Sequence, residues 1–222
     1  MLHVHTTNVH ASNDDGIYGM DKIFATAAST AVVALVGGLG AYVWLNQADG
    51  AYAHCNSSAV AGGSIGGPFE MLDETGETVT DADVITEPAL VYFGYTFCPD
   101  VCPLDAARNA EAVELLEGQG IQATPVFISI DPERDTPEVL AEYTDYMHPK
   151  MIGLTGTPEQ VKAASKTYKT YYRRQPGDEE FYLVDHSTFT YLVLPDAGFV
   201  DFFRRDATAA EIAEKTACYA TS

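Results

Sequence analysis

The sequence predicts an α/β domain with a short N-terminal hairpin, preceded by one transmembrane helix. Two patterns support this class. From residue 66 onward, apolar runs of strand length alternate with segments of helical spacing, and such alternation requires a sheet with helices on its faces. Before them lies an uncharged apolar stretch, residues 23–45, which is long enough to cross a bilayer. The 222 residues therefore allow one ordinary domain with appendages.

The apolar stretch is the expected membrane anchor. As a helix its 23 residues would span about 34 Å at about 1.5 Å per residue, close to a bilayer core of about 30 Å. Lys22 precedes it and the next base is Arg108, so the positive-inside rule keeps residues 1–22 as a cytoplasmic tail. We therefore expect a single-pass protein of the inner membrane with its domain on the periplasmic side. A cleaved signal peptide and a buried core helix remain alternatives.

The net negative charge of the chain argues against nucleic acid as a partner. The chain carries 12 Lys+Arg and 32 Asp+Glu, a formal charge of −20, and the part after residue 50 holds 28 acids and 11 bases, a net of −17. A nucleic-acid partner is therefore not expected, because neutralising phosphates requires basic surface. Four cysteines are also too few for a disulfide scaffold in a chain of this length.

The strands follow a linker of small and Gly-rich residues, 46–65, which leads into the domain, 66–222. Two short segments around an Asp-Glu-Thr-Gly turn predict the opening hairpin. Near-continuous apolar runs are typical of strands covered on both faces. The predicted strands after the hairpin are residues 88–97, 121–131, 151–156, 189–194 and 198–204.

Four helices accompany these strands, three between consecutive strands and one after the last strand. The segment after Pro103 has helical spacing and stops at Gly118. Proline at the first helical position, after Thr136, indicates a second helix through about Met147. Capping boxes predict the starts of the third helix and of the last helix. We expect the third helix to run to about Arg174. Four bases of the third helix would share one face, either as a docking stripe or as a solvated surface: Lys162, Lys166, Lys169 and Arg173.

The chemistry concentrates at two cysteines, Cys98 and Cys102, between the first buried strand and the following helix. A helix N-terminus lowers a thiol pKa and so favours thiolate. Thiolate is both the nucleophile of disulfide exchange and a soft ligand for Cu(I) or zinc. The pair therefore predicts a redox or a metal-binding role. A structural reading, as packed thiols or a stable disulfide, is disfavoured by the proline that follows each cysteine.

Histidine is the obvious candidate for a further ligand. His186 stands in Val-Asp-His-Ser just before a predicted strand, where site residues collect, although a lone histidine is usually an ordinary core or surface residue. His148 lies at a helix end and is expected to interact with the helix dipole. Asp131, at a strand end, is interpreted as structural.

The domain resembles the Sco/SenC family of copper chaperones for cytochrome c oxidase assembly. The resemblance runs from about Gly66 to about Lys215 and rests on GGPFEMLDETG, VYFGYTFCPDVCP, FISIDPERDTPEVL, IGLTGT and VDHSTFTYLVLPDAGF. It implies a thioredoxin-like fold with the inserted hairpin. It also implies a site for one copper per chain, Cu(I) or Cu(II), made by Cys98, Cys102 and His186. A single N-terminal anchor matches the family as well.

The resemblance implies a metallochaperone that passes copper to the copper-A-bearing subunit of the oxidase. Other copper chaperones or thioredoxin-like reductases are further expected partners. The alternative is a thiol–disulfide oxidoreductase with Cys98 and Cys102 as the redox pair. A gap of three residues between the cysteines, rather than two, favours copper. Asp185 is expected to orient the His186 ring by a hydrogen bond. The alternative interpretation is that Asp185 is an ordinary acidic residue of the surface.

Two further cysteines lie outside this motif. Cys55 precedes the first strand of the domain and Cys218 lies in its last helix. An exported compartment permits disulfides, and the termini of a domain are often close together. We therefore predict a structural disulfide between them. Two unpaired thiols, or a Cys55 bond between chains, remain alternatives.

Overall fold

The structure is a computed structural model of the full chain and describes residues 36–38, 52, 54–55, 65–178 and 181–221. The chain divides into two compact units, 1–51 and 52–222, and the fold below is that of the second. The expected tail and anchor lie outside the described residues apart from 36–38, as does most of the expected linker. Within the described ranges, every helix is too short or too polar to cross a membrane.

Nine strands and five helices make up the described part of the second unit. The strands are β1 Glu70–Leu72, β2 Thr78–Thr80, β3 Ala89–Gly94, β4 Thr124–Ser129, β5 Ile152–Leu154, β6 Tyr172–Arg174, β7 Val184–His186, β8 Thr190–Leu194 and β9 Gly198–Phe203. The helices are α1 Asp81–Val84, α2 Val101–Glu117, α3 Pro137–Met147, α4 Pro158–Thr167 and α5 Ala209–Ala220.

A five-stranded mixed sheet with the order β5-β4-β3-β8-β9 forms the centre of the domain. Strand β3 pairs in parallel with β4 and antiparallel with β8, and β4 continues in parallel to β5. Strands β1 and β2 form the predicted hairpin, which joins the edge of the sheet through a bridge between Leu72 and Thr155. The α/β class and its N-terminal hairpin are confirmed.

Helices cover both faces of this sheet. Leu90 and Leu192, which are partners across β3 and β8, belong to one core cluster together with residues of α2 and α5. The next pair along the same strands, Val91 and Tyr191, belongs to the other cluster, which includes residues of α3 and α4. Successive side chains of a strand point to opposite faces, so the apolar run of β3 is buried on both sides.

The predicted starts of three helices are confirmed by their caps. The hydroxyls of Thr136, Thr157 and Thr208 each accept a hydrogen bond from the backbone amide three residues later, at 3.4, 3.2 and 3.2 Å. Each hydroxyl satisfies one of the amides that a helix N-terminus leaves without an intrahelical partner. These short-range contacts explain why the starts of α3, α4 and α5 are readable from sequence.

The predicted end of the third of these connecting helices is wrong. Helix α4 stops at Thr167 instead of running to Arg174. Lys169 adopts a φ of 55°, a left-handed conformation that cannot continue a right-handed helix. The chain then leaves as strand β6, which pairs with β7. Two of the four bases expected on one helical face therefore lie beyond the helix, and no such continuous stripe exists.

The hairpin of β6 and β7 was not predicted, and it positions part of the site. The Tyr182 hydroxyl, just before β7, donates a hydrogen bond of 2.5 Å to the buried carboxylate of Asp131. The Arg134 guanidinium bonds the same carboxylate at 2.6 Å and stacks 3.6 Å from the centre of the Tyr182 ring. The amide of Val184 donates to the Tyr95 hydroxyl at 3.2 Å. Asp131 is structural, but its role is not the expected capping or turning of the chain at a strand end: its carboxylate fixes the hairpin to the loop after β4.

Candidate metal centre

Three side chains converge at the N-terminus of α2. The ligand atoms of Cys98, Cys102 and His186 all lie within 4.8 Å of one another. The Cys102 Sγ and the His186 Nε2 are 3.3 Å apart, although the two residues are 84 positions apart in the chain. The structure therefore brings together the three residues that the family resemblance nominates as ligands.

The cysteines occupy different local structures. Cys98 lies in the turn after β3, where its amide donates to the Tyr95 carbonyl at 3.2 Å. Helix α2 begins at Val101 rather than after Pro103 as predicted, so Cys102 lies in its first turn. Pro103 is accommodated there because the first amides of a helix have no intrahelical acceptor. The Cys102 amide instead donates to the Cys98 sulfur at 3.4 Å.

The two thiols differ in their affinity for a proton. A hydrogen bond from the Cys102 thiol does most to lower the pKa of Cys98, to about 3, against the opposing effect of partial burial. The backbone amides of Asp100 and Cys102 lower it further. The same thiol–thiol hydrogen bond, together with burial, raises the pKa of Cys102, which is 0% exposed. The hydrogen bond between the two sulfurs therefore favours the thiolate at Cys98 and the thiol at Cys102.

The His186 ring is held in one tautomer. Its Nδ1 lies 2.8 Å from the carbonyl oxygen of Ser187, and a carbonyl can only accept, so Nδ1 carries the proton. Its Nε2 lone pair then faces the Cys102 sulfur. The edges of Tyr92 and Tyr95 pack against the ring at centroid distances of 6.2 and 5.8 Å. A protonated Nδ1 held by a carbonyl is the arrangement that orients histidine ligands in metal sites.

The prediction that Asp185 orients the His186 ring by a hydrogen bond is wrong. The Asp185 carboxylate bonds Arg173 at 3.1 Å and Gln175 at 2.5 Å instead. The two residues are consecutive in β7, so their side chains point to opposite sides of the strand. The Ser187 carbonyl orients the ring instead. The Asp185 carboxylate bonds side chains on the other side of the hairpin.

Sequence reasoning missed the two tyrosines that surround the site. The Tyr92 hydroxyl, buried in β3, donates to the Asp105 carboxylate at 3.0 Å, and burial raises the Tyr92 pKa. Tyr95 bonds the hairpin as described above. Tyr95 lies three residues before Cys98, which was the one available signal. Nothing in the apolar run around Tyr92 distinguishes it from an ordinary core residue.

The donor set fits a soft metal ion. Two sulfurs and one imidazole nitrogen suit Cu(I), whereas structural zinc almost always takes four protein ligands. Cys98 and Cys102 are both unbridged, so the same sulfurs are also available for thiol–disulfide exchange. The geometry therefore supports metal binding and redox exchange at one centre.

The remaining cysteines and His148 lie elsewhere. Cys55 and Cys218 are joined in a disulfide with a Cα–Cα distance of 5.7 Å, which attaches the segment before the domain's first strand to α5. His148 follows the last residue of α3, and its Nδ1 accepts a hydrogen bond from the Lys150 amide at 3.1 Å; its expected interaction with the helix dipole stays a prediction. The two free cysteines are thus left to the site at α2.

A mixed sheet covered by helices, with a Cys-x-x-x-Cys pair at a strand–helix junction and a distant histidine beside it, defines a thioredoxin-like domain with a dithiol–imidazole centre. The family model SCO1/SenC matches residues 58–221. The chain belongs to the SCO1/SenC family.

Comparison with individual relatives agrees. The protein SenC of Rhodobacter capsulatus is 55% identical over 200 residues, which cover 89% of this chain and 90% of that protein. The crystal structure of Arabidopsis thaliana ScoI with copper bound has a TM-score of 0.67 and 38% identity, covering 71% of this chain and 99% of that one. Yeast Sco1 with copper bound gives a TM-score of 0.67 and 37% identity, with coverages of 72% and 90%. These likenesses confirm the thioredoxin-like fold.

Proposed function

We propose that this chain is a membrane-anchored metallochaperone that delivers copper to the copper A centre of cytochrome c oxidase during assembly. The observation that carries the proposal is the convergence of two sulfurs and one imidazole nitrogen within 4.8 Å. It is supported by family membership and by relatives from Arabidopsis and yeast whose structures hold copper. Copper is the cargo of such a protein, so its site must both bind the ion and surrender it.

Each ligand has a distinct part in binding. Cys98 provides a thiolate without losing a proton, because its pKa is already low. Cys102 releases its proton on metal binding, since only the thiolate is a ligand. His186 presents its Nε2, because the hydrogen bond from Nδ1 to the Ser187 carbonyl orients the ring. Binding therefore releases the proton of Cys102, which makes copper affinity depend on pH.

Exposed aromatic residues beside the thiols offer a surface to the oxidase subunit. A groove of about 480 Å³ lies next to the Cys98 loop. Phe97 is 52% exposed and Tyr146 is 85% exposed along it. Exposed aromatic side chains of this size are characteristic of protein interfaces. We assign docking of the copper-A-bearing subunit to this groove, because Phe97, which lines it, directly precedes Cys98.

The proposal includes an inner-membrane anchor at residues 23–45 and a domain on the periplasmic side. The disulfide between Cys55 and Cys218 supports export, because such bonds persist in oxidising compartments. A phosphatase fused after residue 50, which works only when exported, should be active. An inactive fusion beside an active export control would reverse the topology.

Anaerobic copper titration of the full chain tests the site. The wild type should bind one copper per chain, and its Cu(II) form should show sulfur-to-copper charge-transfer absorption. Replacing Cys98 or Cys102 by Ser should abolish that absorption, and His186→Ala should weaken binding. His54→Ala, with the Cys55–Cys218 disulfide intact, is the matched control and should change neither. Unchanged affinity and spectrum in His186→Ala would refute the three-ligand site.

A second candidate function is thiol–disulfide exchange, which the low pKa of Cys98 specifically favours. The Cys98 thiolate would attack a partner disulfide to form a mixed disulfide, and the Cys102 thiolate would then displace the partner as a dithiol. This leaves a Cys98–Cys102 disulfide and balances two electrons. His186→Ala should retain this exchange but fail to load the oxidase in a deletion strain at limiting copper. Full restoration of the oxidase by that variant would favour the reductase.

A further inference from the structure

A second group of metal-ligating side chains lies at the last helix. His54, Cys55 and Cys218 each offer an atom within 4.8 Å of the other two. The group shares no residue with the site at α2. Cys55 also packs in the core cluster that contains residues of α2 and α5, whereas Cys98 and Cys102 belong to the opposite cluster. In the structure the two sulfurs of this second group are bonded to each other.

We propose that reduction of the Cys55–Cys218 disulfide opens a second Cu(I) site, formed by these two sulfurs and the His54 imidazole. The disulfide is the closed form, because bonded sulfurs offer no thiolate to a metal ion. The dithiol is the open form. The proposal does not depend on the function of Cys98, Cys102 and His186.

The geometry requires little change when the bond opens. The Cα atoms of Cys55 and Cys218 are 5.7 Å apart. Two sulfurs that each lie about 2.3 Å from one ion in a trigonal arrangement are about 4 Å apart, so rotation of the two side chains provides the necessary spacing. His54 precedes Cys55 in the chain and is exposed, so its imidazole can reach an ion from the solvent side.

Contacts other than the disulfide hold the ligands in place. The rings of Tyr52 and Tyr219 pack at a centroid distance of 5.4 Å, which ties the segment to α5 beside the cysteines. The Cys55 amide donates to the Tyr52 carbonyl at 3.0 Å and closes the turn that presents His54. Cys55 itself is only 7% exposed and packs in the core. Reduction should therefore leave the three ligands close together instead of freeing the segment.

The surroundings favour a cation with few ligands. A cleft of about 350 Å³ contains the three residues together with Glu211, Glu214 and Lys215. The Lys215 ammonium is paired with the buried Asp201 carboxylate at 2.6 Å, which offsets its charge, and the two glutamates make the cleft negative. Among the described residues the group contains three ligands, which suits Cu(I) better than a four-coordinate zinc site.

The chemistry of opening is a two-electron exchange. A dithiol reductant of the thioredoxin class attacks the disulfide, becomes a disulfide itself, and leaves Cys55 and Cys218 as thiols. Binding of one Cu(I) then displaces the two thiol protons to solvent. The open site uses two sulfurs and one nitrogen, the same donor set as the site at α2.

Cu(I) titration against a chromogenic Cu(I) chelator tests the proposal. The full chain carrying Cys98→Ala and Cys102→Ala, which removes the first site, is prepared with the disulfide intact or reduced by a dithiol that is then removed anaerobically. Alkylation and mass analysis should count no free thiols in the first sample and two in the second. We expect one Cu(I) per reduced chain, none per oxidised chain, and at least tenfold weaker binding with His54→Ala added.

Three outcomes would overturn the proposal. The first is equal copper binding by the reduced and oxidised chains. The second is unchanged affinity in the His54→Ala chain, which keeps both cysteines and so serves as the matched variant. The third is loss of the cooperative unfolding transition on reduction, since the site requires the segment to stay folded against α5. None of these outcomes affects copper binding at Cys98, Cys102 and His186.

Discussion

Cys98 in the reduced, metal-free chain should react with an alkylating agent at a rate that hardly changes between pH 5 and pH 8. Its pKa lies at about 3, so the thiolate is already fully formed across this range. The folded pKa is depressed below the ordinary value. The charged form therefore persists as the pH falls and is lost only when the pH approaches the folded pKa.

The magnitude of the rate is less informative than its slope. An ordinary thiol with a pKa of about 8.5 is about 0.3% thiolate at pH 6, so Cys98 gains about 300-fold in thiolate there. Its lower basicity reduces its nucleophilicity by a factor of about 160–560, from a Brønsted coefficient of about 0.4–0.5. These effects nearly cancel at pH 6. At pH 8 Cys98 should be roughly 40–130-fold slower than an ordinary thiol.

The assay follows iodoacetamide labelling of the Cys98 peptide by mass spectrometry at a series of pH values. Cys98 is only 8% exposed, which lowers every rate by the same factor and leaves the slope unchanged. Cys102→Ala removes the largest cause of the low pKa, so the rate should again rise with pH. Cys98→Ala is the control: it removes the hydrogen bond to Cys98, but Cys102 is 0% exposed and should therefore stay unreactive.

Two results would refute this reasoning. One is a wild-type rate that rises about tenfold per pH unit between pH 6 and 8, which is the behaviour of an ordinary thiol. The other is a flat profile in Cys102→Ala, which would mean that the neighbouring thiol does not stabilise the Cys98 thiolate.

Three further predictions concern stability. Replacing Cys55 and Cys218 together by Ser removes a disulfide that joins residues 163 positions apart, and chain entropy allows this bond up to about 5 kcal/mol of the free energy of unfolding. The urea midpoint should therefore fall while copper binding at Cys98 persists. An unchanged midpoint would contradict this prediction. Leu116→Ala should cost about 2–5 kcal/mol because Leu116 is 0% exposed, whereas Leu115→Ala, at 41% exposure in the same helix, should cost much less. Equal losses of unfolding free energy in the two variants, measured by urea unfolding, would contradict the difference in burial between Leu116 and Leu115. Tyr182→Phe removes a hydrogen bond to the buried Asp131 carboxylate, which contributes about 1.5–3 kcal/mol to stability. Amide hydrogen exchange in β7 should therefore become faster. Exchange at the wild-type rate would show that this bond does not hold the hairpin.

Local patterns explain what could be predicted. Strand β3 is apolar throughout because both its faces are covered, and the starts of α3, α4 and α5 depend on a threonine and an amide three residues away. The cysteine pair is recognisable because a strand–helix junction is a short-range feature. The end of α4 was mispredicted because it depends on the left-handed Lys169 and on pairing with a strand that follows it in the chain.

The hairpin of β6 and β7 shows where local patterns fail. Each strand has three residues, and Tyr172–Arg174 has no alternation of apolar and polar side chains. Its position comes from contacts with Asp131, Arg134 and Tyr95, which lie far away in the chain. Because His186 belongs to this hairpin, no periodicity or spacing could identify it as a partner of the cysteines. The family resemblance nominated it instead.

The amino-acid sequence alone therefore predicts the α/β class, the order along the chain of the strands and helices of the central sheet, and the thiol chemistry at the start of α2, because these depend on neighbours a few residues apart. Three other features depend on the packed domain. It placed His186 at 3.3 Å from Cys102, gave the orienting hydrogen bond to Ser187 instead of Asp185, and set His54 beside the Cys55–Cys218 pair. Each of these depends on side-chain direction or on contacts between distant segments, which are fixed only when the sheet, the hairpin and the last helix pack together.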